Sequence, residues 1–209
     1  MRVNAFATGG WLPASVRGTT VESLVAIEDW YATFCSLAGV DPADDAAAAA
    51  GLPPVDGLDV SALLMAPGAA SPRAEVVLGV SLGGQKVGAT SVQGVLRADG
   101  WKLLIGDLSS AFWQGPVYPN ASGYPSAKQV CGDPALPAAA LGAGPGCLYN
   151  VFSDPTEQTN QAAHQPAIVA ALRARIAAHN ATAFSPDRGD DDGAACAARA
   201  AAGFWGPFL

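Results

Sequence analysis

The chain of 209 residues carries 11 lysines and arginines against 18 aspartates and glutamates, a formal net charge of −7. A nucleic-acid binder needs a basic face to neutralise phosphates, so this composition disfavours nucleic acid and an anionic membrane surface as partners. No apolar run reaches the roughly 18 to 20 residues that span a bilayer. The first residues also show no secretory signal, because Gly9-Gly10 and Pro13 interrupt the opening apolar run.

The first third of the chain predicts one strand and one long helix. Residues 2–8 form a short strand-like run. A helix is predicted from Val21 to Ala38, ended by Gly39. Apolar side chains recur along it at helical spacing and form one stripe, made of Leu24, Ile27, Tyr31, Phe34 and Leu37. Residues 41–54 are predicted as a surface loop or short helix, and a second short helix is predicted from Leu58 to Met65.

Beyond a proline-bounded linker the pattern changes from helix to strand. We place a domain boundary at this linker, Pro67 to Pro72, with one domain over 1–66 and a second over 67–209. Apolar and β-branched runs predict four strands, at Glu75–Leu82, Ser91–Ala98, Trp101–Gly106 and Leu148–Phe152. Asp99-Gly100 is a strong two-residue hairpin signal, so the second and third strands are predicted to be antiparallel.

The second domain is predicted to carry one helix on this sheet. The helix runs from Pro166 to Asn180 and places Ile168, Leu172 and Ile176 on one face. Residues 107–146 hold no convincing element, and the acidic tail from Ser185 is predicted to be irregular. The predicted fold class is an incomplete α/β unit of strand plus helix, followed by a small α+β domain. That domain combines an antiparallel sheet of about four strands with one packed helix.

The strand and helix of the first unit cannot bury both of their faces by themselves. We therefore expect them to belong to a larger sheet whose remaining part lies upstream. In the isolated chain the strand edge and the helix stripe would be exposed, which predicts self-association and poor solubility.

Four cysteines and two sequons favour the secretory pathway. Cys131 and Cys147 flank a loop of about 15 residues and are candidates for a disulfide that would contribute roughly 3 kcal/mol in an oxidising compartment. Cys35 is predicted to be a buried free thiol. C-x-x-C spacing is absent and only two histidines occur, which disfavours a zinc site. The sequons Asn120-Ala121-Ser122 and Asn180-Ala181-Thr182 are candidate N-glycosylation sites.

One pattern suggests a serine hydrolase. Gly79 to Gly83 fits G-x-S-x-G with Ser81 as the nucleophile, and Asp154 and then His164 or His179 follow in the hydrolase order. A nucleophile elbow must open into a helix, whereas the glycine-rich stretch after Ser81 is unfavourable to one. A strand that enters a turn is the favoured interpretation, and catalysis by Ser81 is a remote alternative.

Short strings spread along the chain resemble, in the right order, the C-terminal part of type I sulfatases of the alkaline phosphatase-like superfamily. They are Arg2–Pro13, Arg17–Gly18, Asp29–Phe34, Leu37–Val40, Asp56–Asp59, Ser71–Glu75, Asp99–Leu104, Cys147–Asn150 and Asp154–Asn160. Among them are the family's "SPR.E" entry to the C-terminal sheet and its "GWKL" hairpin. The ending, Phe204 to Phe208, is similar to that of the arylsulfatase B branch.

The resemblance implies hydrolysis of sulfate esters with calcium and a formylglycine, which is made from the Cys or Ser of a C/S-x-P-x-R motif. None of the four cysteines lies in that motif. Asp44-Asp45 is interpreted as solvated loop charge, and the acidic run 187–192 lacks the spacing of an EF-hand. No residue is carried over as catalytic or as a metal ligand. We expect this segment to bind no cofactor and to be inactive alone.

The resemblance also implies partners. These are the missing N-terminal half and, for the full-length enzyme, a sulfated small molecule or polysaccharide. A family cysteine at the position of Cys196 commonly pairs with that half, so Cys196 is expected to be unpaired here. The parent protein is expected in the secretory pathway, extracellular or lysosome-like. A non-catalytic binding or structural module derived from a sulfatase is the alternative.

Overall fold

The computed structural model describes residues 3–80, 92–106, 146–157, 159–183 and 193–203. In this part of the chain four strands form one sheet in the order β1-β2-β3-β4, and all neighbours are antiparallel. The strands are β1 (Glu75–Gly79), β2 (Gln93–Arg97), β3 (Trp101–Ile105) and β4 (Cys147–Asn150). The predicted antiparallel sheet of about four strands is confirmed.

The turn between β2 and β3 is the predicted hairpin. Gly100 adopts φ +90°, a left-handed conformation, and a Cβ at this position would lie 2.7 Å from the ring of Phe152. Glycine is therefore required for both its backbone and its lack of a side chain. The register pairs Leu96 with Lys102 and Gln93 with Ile105, which fixes the face on which each side chain lies.

The core lies between one face of the sheet and a long helix, α4 (Pro166–Thr182). Val95, Leu103 and Leu148, one from each of β2, β3 and β4, are cross-strand partners on this face. The helix begins with Pro166, whose missing N–H costs nothing in the first turn. It contributes Val169, Leu172 and Ile176 to the core. The predicted packed helix is confirmed and continues two residues beyond the predicted end.

The N-terminal part is helical and irregular, with α1 (Asp29–Ala38), α2 (Asp45–Ala49) and α3 (Ser61–Met65). The predicted strand at 2–8 does not form in the described residues, because 3–8 lie in no strand and pair with none of β1 to β4. An extended segment without a hydrogen-bonded neighbour is not a stable strand.

The first helix is shorter than predicted, since it starts at Asp29 instead of Val21. The reason lies in the Asp29 carboxylate, which accepts the backbone N–H of Ala26 at 2.7 Å. In a continuous helix that N–H would bond the carbonyl of Glu22, so the side chain competes with the helix and ends it on this side. Gly39 terminates the helix as predicted.

The short helix allowed for residues 41–54 forms, whereas the prediction for the tail differs from the structure. The acidic excursion contains α2, whose first turn is capped by Asp44 through the N–H of Ala47 at 2.9 Å. The tail was predicted to be irregular but contains α5 (Gly193–Ala202). Alanine has the highest helix propensity, and it dominates this segment despite the acidic residues before it. Residues 81–91 and 107–145 lie outside the described part. No helix in the described part is long and apolar enough to cross a membrane.

Candidate functional site

A buried ion pair joins the start of α1 to the entry of β1. Both oxygens of Asp29 are used: Oδ2 accepts from Arg73 Nε at 2.6 Å and Oδ1 accepts from Arg73 Nη2. The same oxygens accept the backbone N–H groups of Ala26 at 2.7 Å and Leu58 at 2.9 Å. Asp29 is fully buried and Arg73 is 8% exposed. Four donors thus converge on one carboxylate, in the bidentate geometry that makes an arginine pair strong.

The guanidinium of Arg73 also reaches groups outside this pair. Nη2 donates to the carbonyl of Asp56 at 3.1 Å, Nη1 donates to the carbonyl of Glu75 at 3.3 Å, and Glu28 Oε1 lies 3.6 Å away. Burial alone would raise the pKa of Asp29, but the hydrogen bonds from Arg73 and the two amides hold it below the ordinary 3.8. Asp29 therefore stays ionised, which a buried carboxylate does only when it is fully paired.

The segments around this ion pair approach each other closely. A Cβ on Gly57 would lie 2.3 Å from the carbonyl oxygen of Glu28, so only glycine allows the contact. The hydroxyl of Thr33, also buried, accepts the N–H of Val60 at 3.0 Å. The ion pair crosses the boundary predicted at 67–72, while the division into 1–66 and 67–209 stays a prediction. The Asp29–Arg73 ion pair holds α1 in a fixed orientation relative to β1.

A second polar cluster joins β1 to the end of α4. Glu75 Oε1 lies 2.9 Å from Arg175 Nε and 2.7 Å from His179 Nε2. Burial would raise the pKa of Glu75, but the hydrogen bonds from Arg175 and His179 hold it below 4.5. Next to this pair, Asn180 Nδ2 donates to Gln93 Oε1 at 2.7 Å. These hydrogen bonds join the C-terminal part of α4 to β1 and β2.

A third cluster lies on the other face of the sheet. Lys102 Nζ donates to both carboxylate oxygens of Glu157, at 2.7 and 2.8 Å. Glu157 has φ +57°, a conformation that costs a non-glycine residue free energy, so the ion pair holds a strained turn. Tyr149, the cross-strand partner of Lys102, is 7% exposed. Burial, followed by the negative charges of Glu157 and Asp154, raises its pKa to about 12.

The raised pKa of Tyr149 gives a pH prediction. Because the folded-state pKa lies above the ordinary 10.0, the protonated phenol stabilises the fold up to about pH 10, and this contribution is lost as pH rises towards 12. In an ultraviolet titration of tyrosinate, one of the four tyrosines should ionise near pH 12. Tyr149→Phe should remove that step and leave the others. A titration of Tyr149 near pH 10 would mean that it is not buried.

The residues singled out from the sequence are only partly described. Cys147 is buried and disulfide-bonded, but Cys131 lies outside the described residues, so the pairing of the two stays a prediction. Cys196 carries a free, exposed thiol on α5. Cys35 is a free thiol too, but it is half-buried where burial was predicted. The N-glycosylation candidate Asn120 lies outside the described residues.

Asn180, the second N-glycosylation candidate, is described. It lies in α4 with its amide bonded to Gln93, and its glycosylation stays a prediction. His179 is bound by Glu75. His164 is exposed. Asp154 accepts the N–H of Thr159 at 2.8 Å.

Two further features bear on the chemistry of the chain. Ser81 lies outside the described residues, so the Ser81 alternative stays open. Among the described residues, no group of three or more His, Cys, Asp or Glu side chains is placed to hold a metal ion.

The ion pairs were not predicted from the sequence, although a signal for them was present. Two of the pairs each join two of the strings that carry the sulfatase resemblance. Asp29 of the "DWYATF" string binds Arg73 of "SPRAE", and Lys102 of "DGWKLL" binds Glu157 of "DPTEQTN". The charged residues within these strings were the signal, and in the structure they hold the strings together.

An antiparallel sheet covered by one helix, with helices preceding it, is consistent with the small α+β domain of a sulfatase C-terminal region. No protein-family model matches the chain. Over 204 residues, 92% of its length, the chain is 27% identical to Arylsulfatase J of Mus musculus. It spans 31% of that protein's length. This similarity supports a sulfatase C-terminal region.

Proposed function

We propose that the chain is the C-terminal part of an arylsulfatase B-like sulfate ester hydrolase and supplies scaffold instead of catalytic groups. The observation that carries the proposal is the similarity to Arylsulfatase J, which covers 92% of this chain but 31% of that protein. The remaining length of such an enzyme would hold the reacting groups. In this proposal the substrate is a sulfated small molecule or polysaccharide, and the parent protein enters the secretory pathway.

The described residues do not fit the calcium ion and formylglycine that the resemblance implies. A calcium site needs several carboxylate or carbonyl oxygens free to face one ion. Here the oxygens of Asp29 already accept four N–H groups, and Glu75 and Asp99 each bind an arginine. The sequence also contains no C-x-P-x-R motif for a formylglycine. In this proposal the chain therefore contributes a folded scaffold to the enzyme and no catalytic group.

The proposal predicts that the 209-residue chain alone does not hydrolyse 4-nitrocatechol sulfate, whereas the complete polypeptide with its upstream part does. The reason is the lack of a formylglycine motif and of a metal-holding cluster in the described residues. The measurement is the release of 4-nitrocatechol by both proteins at equal concentration. An in-frame C/S-x-P-x-R motif upstream would support the proposal, and turnover by the chain alone would refute it.

Two controls separate this function from its alternatives. If the chain is a serine hydrolase, a fluorophosphonate probe should label it and Ser81→Ala should abolish the labelling. If it is a non-catalytic module, the transcript should begin at Met1 and no catalytic region should precede it in frame. The exposed apolar residues of α1 favour the module over the hydrolase as the second candidate, because they form a surface suited to a partner.

A further inference from the structure

Residues 8–19 form a loop that is held together by its own hydrogen bonds. The guanidinium of Arg17 turns back on the loop. Its Nε donates to the carbonyl of Leu12 at 3.0 Å, and its Nη2 donates to the carbonyls of Leu12 at 2.8 Å and Gly10 at 3.2 Å. The side chain of Leu12 is buried. The loop therefore holds its exposed side chains in set positions.

Trp11 extends from this loop into solvent with its ring held in one orientation. The indole N–H donates to the carbonyl of Thr8 at 3.1 Å. The ring also lies close to Gly9, because a Cβ at that position would be 2.8 Å from Trp11 Cδ1. Trp11 is nevertheless 46% exposed. An aromatic ring that is ordered before binding loses little conformational entropy when a ligand contacts it.

Arg17 brings a positive charge to the same loop. Its hydrogen bonds go to backbone carbonyls, which carry no net charge. Three other arginines, Arg73, Arg97 and Arg175, each form an ion pair with a carboxylate. No acidic side chain of the described residues forms an ion pair with Arg17, and Arg17 is exposed. On a chain of net charge −7, this guanidinium is a local site for an anion.

The ring and the charge lie next to each other. Arg17 Nη2 bonds the carbonyl of Gly10, which directly precedes Trp11 in the chain. Since Nε and Nη2 make the bonds to the loop, and Nη1 meets no acceptor among the described residues, the N–H groups of Nη1 are available to a ligand. Such groups bind oxyanions through charge-assisted hydrogen bonds. The face of the indole is weakly negative and attracts the weakly positive C–H bonds on one face of a pyranose ring.

Building on the proposed function, we infer that Trp11 and Arg17 form a subsite for one sulfated unit of a saccharide substrate. The pyranose ring stacks on Trp11, and a sulfate oxygen accepts from Arg17 Nη1. The openness of this site favours a saccharide over a small aryl sulfate. A small ligand needs a pocket that encloses roughly 70 to 90% of it, whereas an exposed ring suits one unit of a chain that is bound at several points.

Saturation-transfer difference NMR of the 209-residue chain with glucose 6-sulfate and with glucose tests the subsite. This method detects weak ligands at a low protein concentration. We expect the ring protons of both sugars to be saturated, and glucose 6-sulfate to bind about 10-fold more tightly because its sulfate contacts Arg17. Absence of saturation, or equal affinity for the two sugars, would overturn the inference.

Substitutions assign the signal to the two side chains. Trp11→Ala should weaken the binding of both sugars by roughly 10-fold, because the stacking surface is lost. Arg17→Gln should reduce the affinity for glucose 6-sulfate to that for glucose. The matched control is Phe152→Ala, which removes another exposed ring, 69% exposed, and should change neither affinity. Equal effects of Trp11→Ala and Phe152→Ala would contradict the subsite.

Arg17 also holds the loop, so another variant separates its two roles. Arg17→Lys keeps the charge but loses the planar fork that bonds two carbonyls. We expect this variant to keep most of the preference for glucose 6-sulfate over glucose. An equal loss of this preference in Arg17→Lys and Arg17→Gln would show that Arg17 acts by holding the loop, and would overturn its assignment to the sulfate.

The complete polypeptide distinguishes the subsite from the proposed function. There the saturation of glucose 6-sulfate should persist and should still depend on Trp11. Its loss would show that the rest of the polypeptide covers the loop, and would overturn the subsite even if 4-nitrocatechol sulfate is hydrolysed. Saturation that persists without hydrolysis of the ester would contradict the proposed function and leave the binding of sulfated saccharide standing.

Discussion

Replacement of Asp29 by asparagine is expected to lower the free energy of unfolding of the chain by about 3 to 5 kcal/mol, the usual cost of removing one partner from a buried ion pair. The carboxylate oxygens accept from Arg73, Ala26 and Leu58. Asparagine has one oxygen and one NH2 group, so at the position of one carboxylate oxygen its NH2 group would face N–H donors. Arg73 would keep its charge in a buried place without a counter-ion.

The measurement is urea denaturation of both proteins, followed by circular dichroism. The matched control is Asp99→Asn, which breaks the pair with Arg97 at 2.5 Å. There the side chains are 34% and 51% exposed, so solvent screens the charges and the expected loss is at most about 1 kcal/mol. A loss for Asp29→Asn as small as that of the control would show that the ion pair does not hold α1 to β1.

The pH dependence gives this prediction a second readout. The folded-state pKa of Asp29 is lowered below 3.8, so its contribution to stability is present above that pH and is lost as pH falls through the lowered pKa. The difference in unfolding free energy between the wild-type chain and Asp29→Asn should therefore be constant near neutral pH. It should shrink only below about pH 3.8. A difference that declined around pH 6 would point to another group.

The sheet could be predicted from the sequence because its signals are local. Each strand is marked by its own apolar and β-branched run, and Asp99-Gly100 marks the hairpin by itself. The same holds for α4, where the helical period and Pro166 at the start coincide. In these elements the side chains that set the structure are near neighbours in the chain.

The start of α1 could not be predicted in this way. Asp29 takes the N–H of Ala26 while it is itself fixed by Arg73, which lies 44 residues further along the chain. The helical spacing correctly placed Tyr31 and Phe34 on one apolar side of α1, whereas Ile27 lies in the turn before the helix. The expectation that this side would be exposed in the isolated chain is confirmed by its high exposed fractions. The strand predicted at 2–8 depended on a neighbour that the described residues do not contain.

The three ion-pair clusters were missed for a related reason. Lys102 and Glu157 are separated by 55 residues, and Glu75 and His179 by 104. Spacing rules within one helix or strand carry no information about such partners. The sequence did show the ordered set of strings that resemble a sulfatase. The ion pairs Asp29–Arg73 and Lys102–Glu157 connect these strings, which explains why the strings contain charged residues.

The second large effect is expected for Leu172→Ala, which should lower the free energy of unfolding by about 2 to 5 kcal/mol. Leu172 is fully buried in α4 and packs with Val95, Leu103 and Leu148 of the sheet. Alanine has a higher helix propensity than leucine, so the loss cannot come from the helix itself. It must come from the cavity left between α4 and the sheet.

Leu52→Ala is the matched control, because Leu52 is 50% exposed and lies outside the core. We expect it to change the free energy of unfolding by less than about 0.5 kcal/mol. Urea denaturation measures both variants, and hydrogen exchange locates the damage, which should appear as faster exchange of the α4 amides in Leu172→Ala. A loss below about 1 kcal/mol in this variant would mean that α4 does not cover the sheet. The core on this face of the sheet would then have to be filled by another part of the chain.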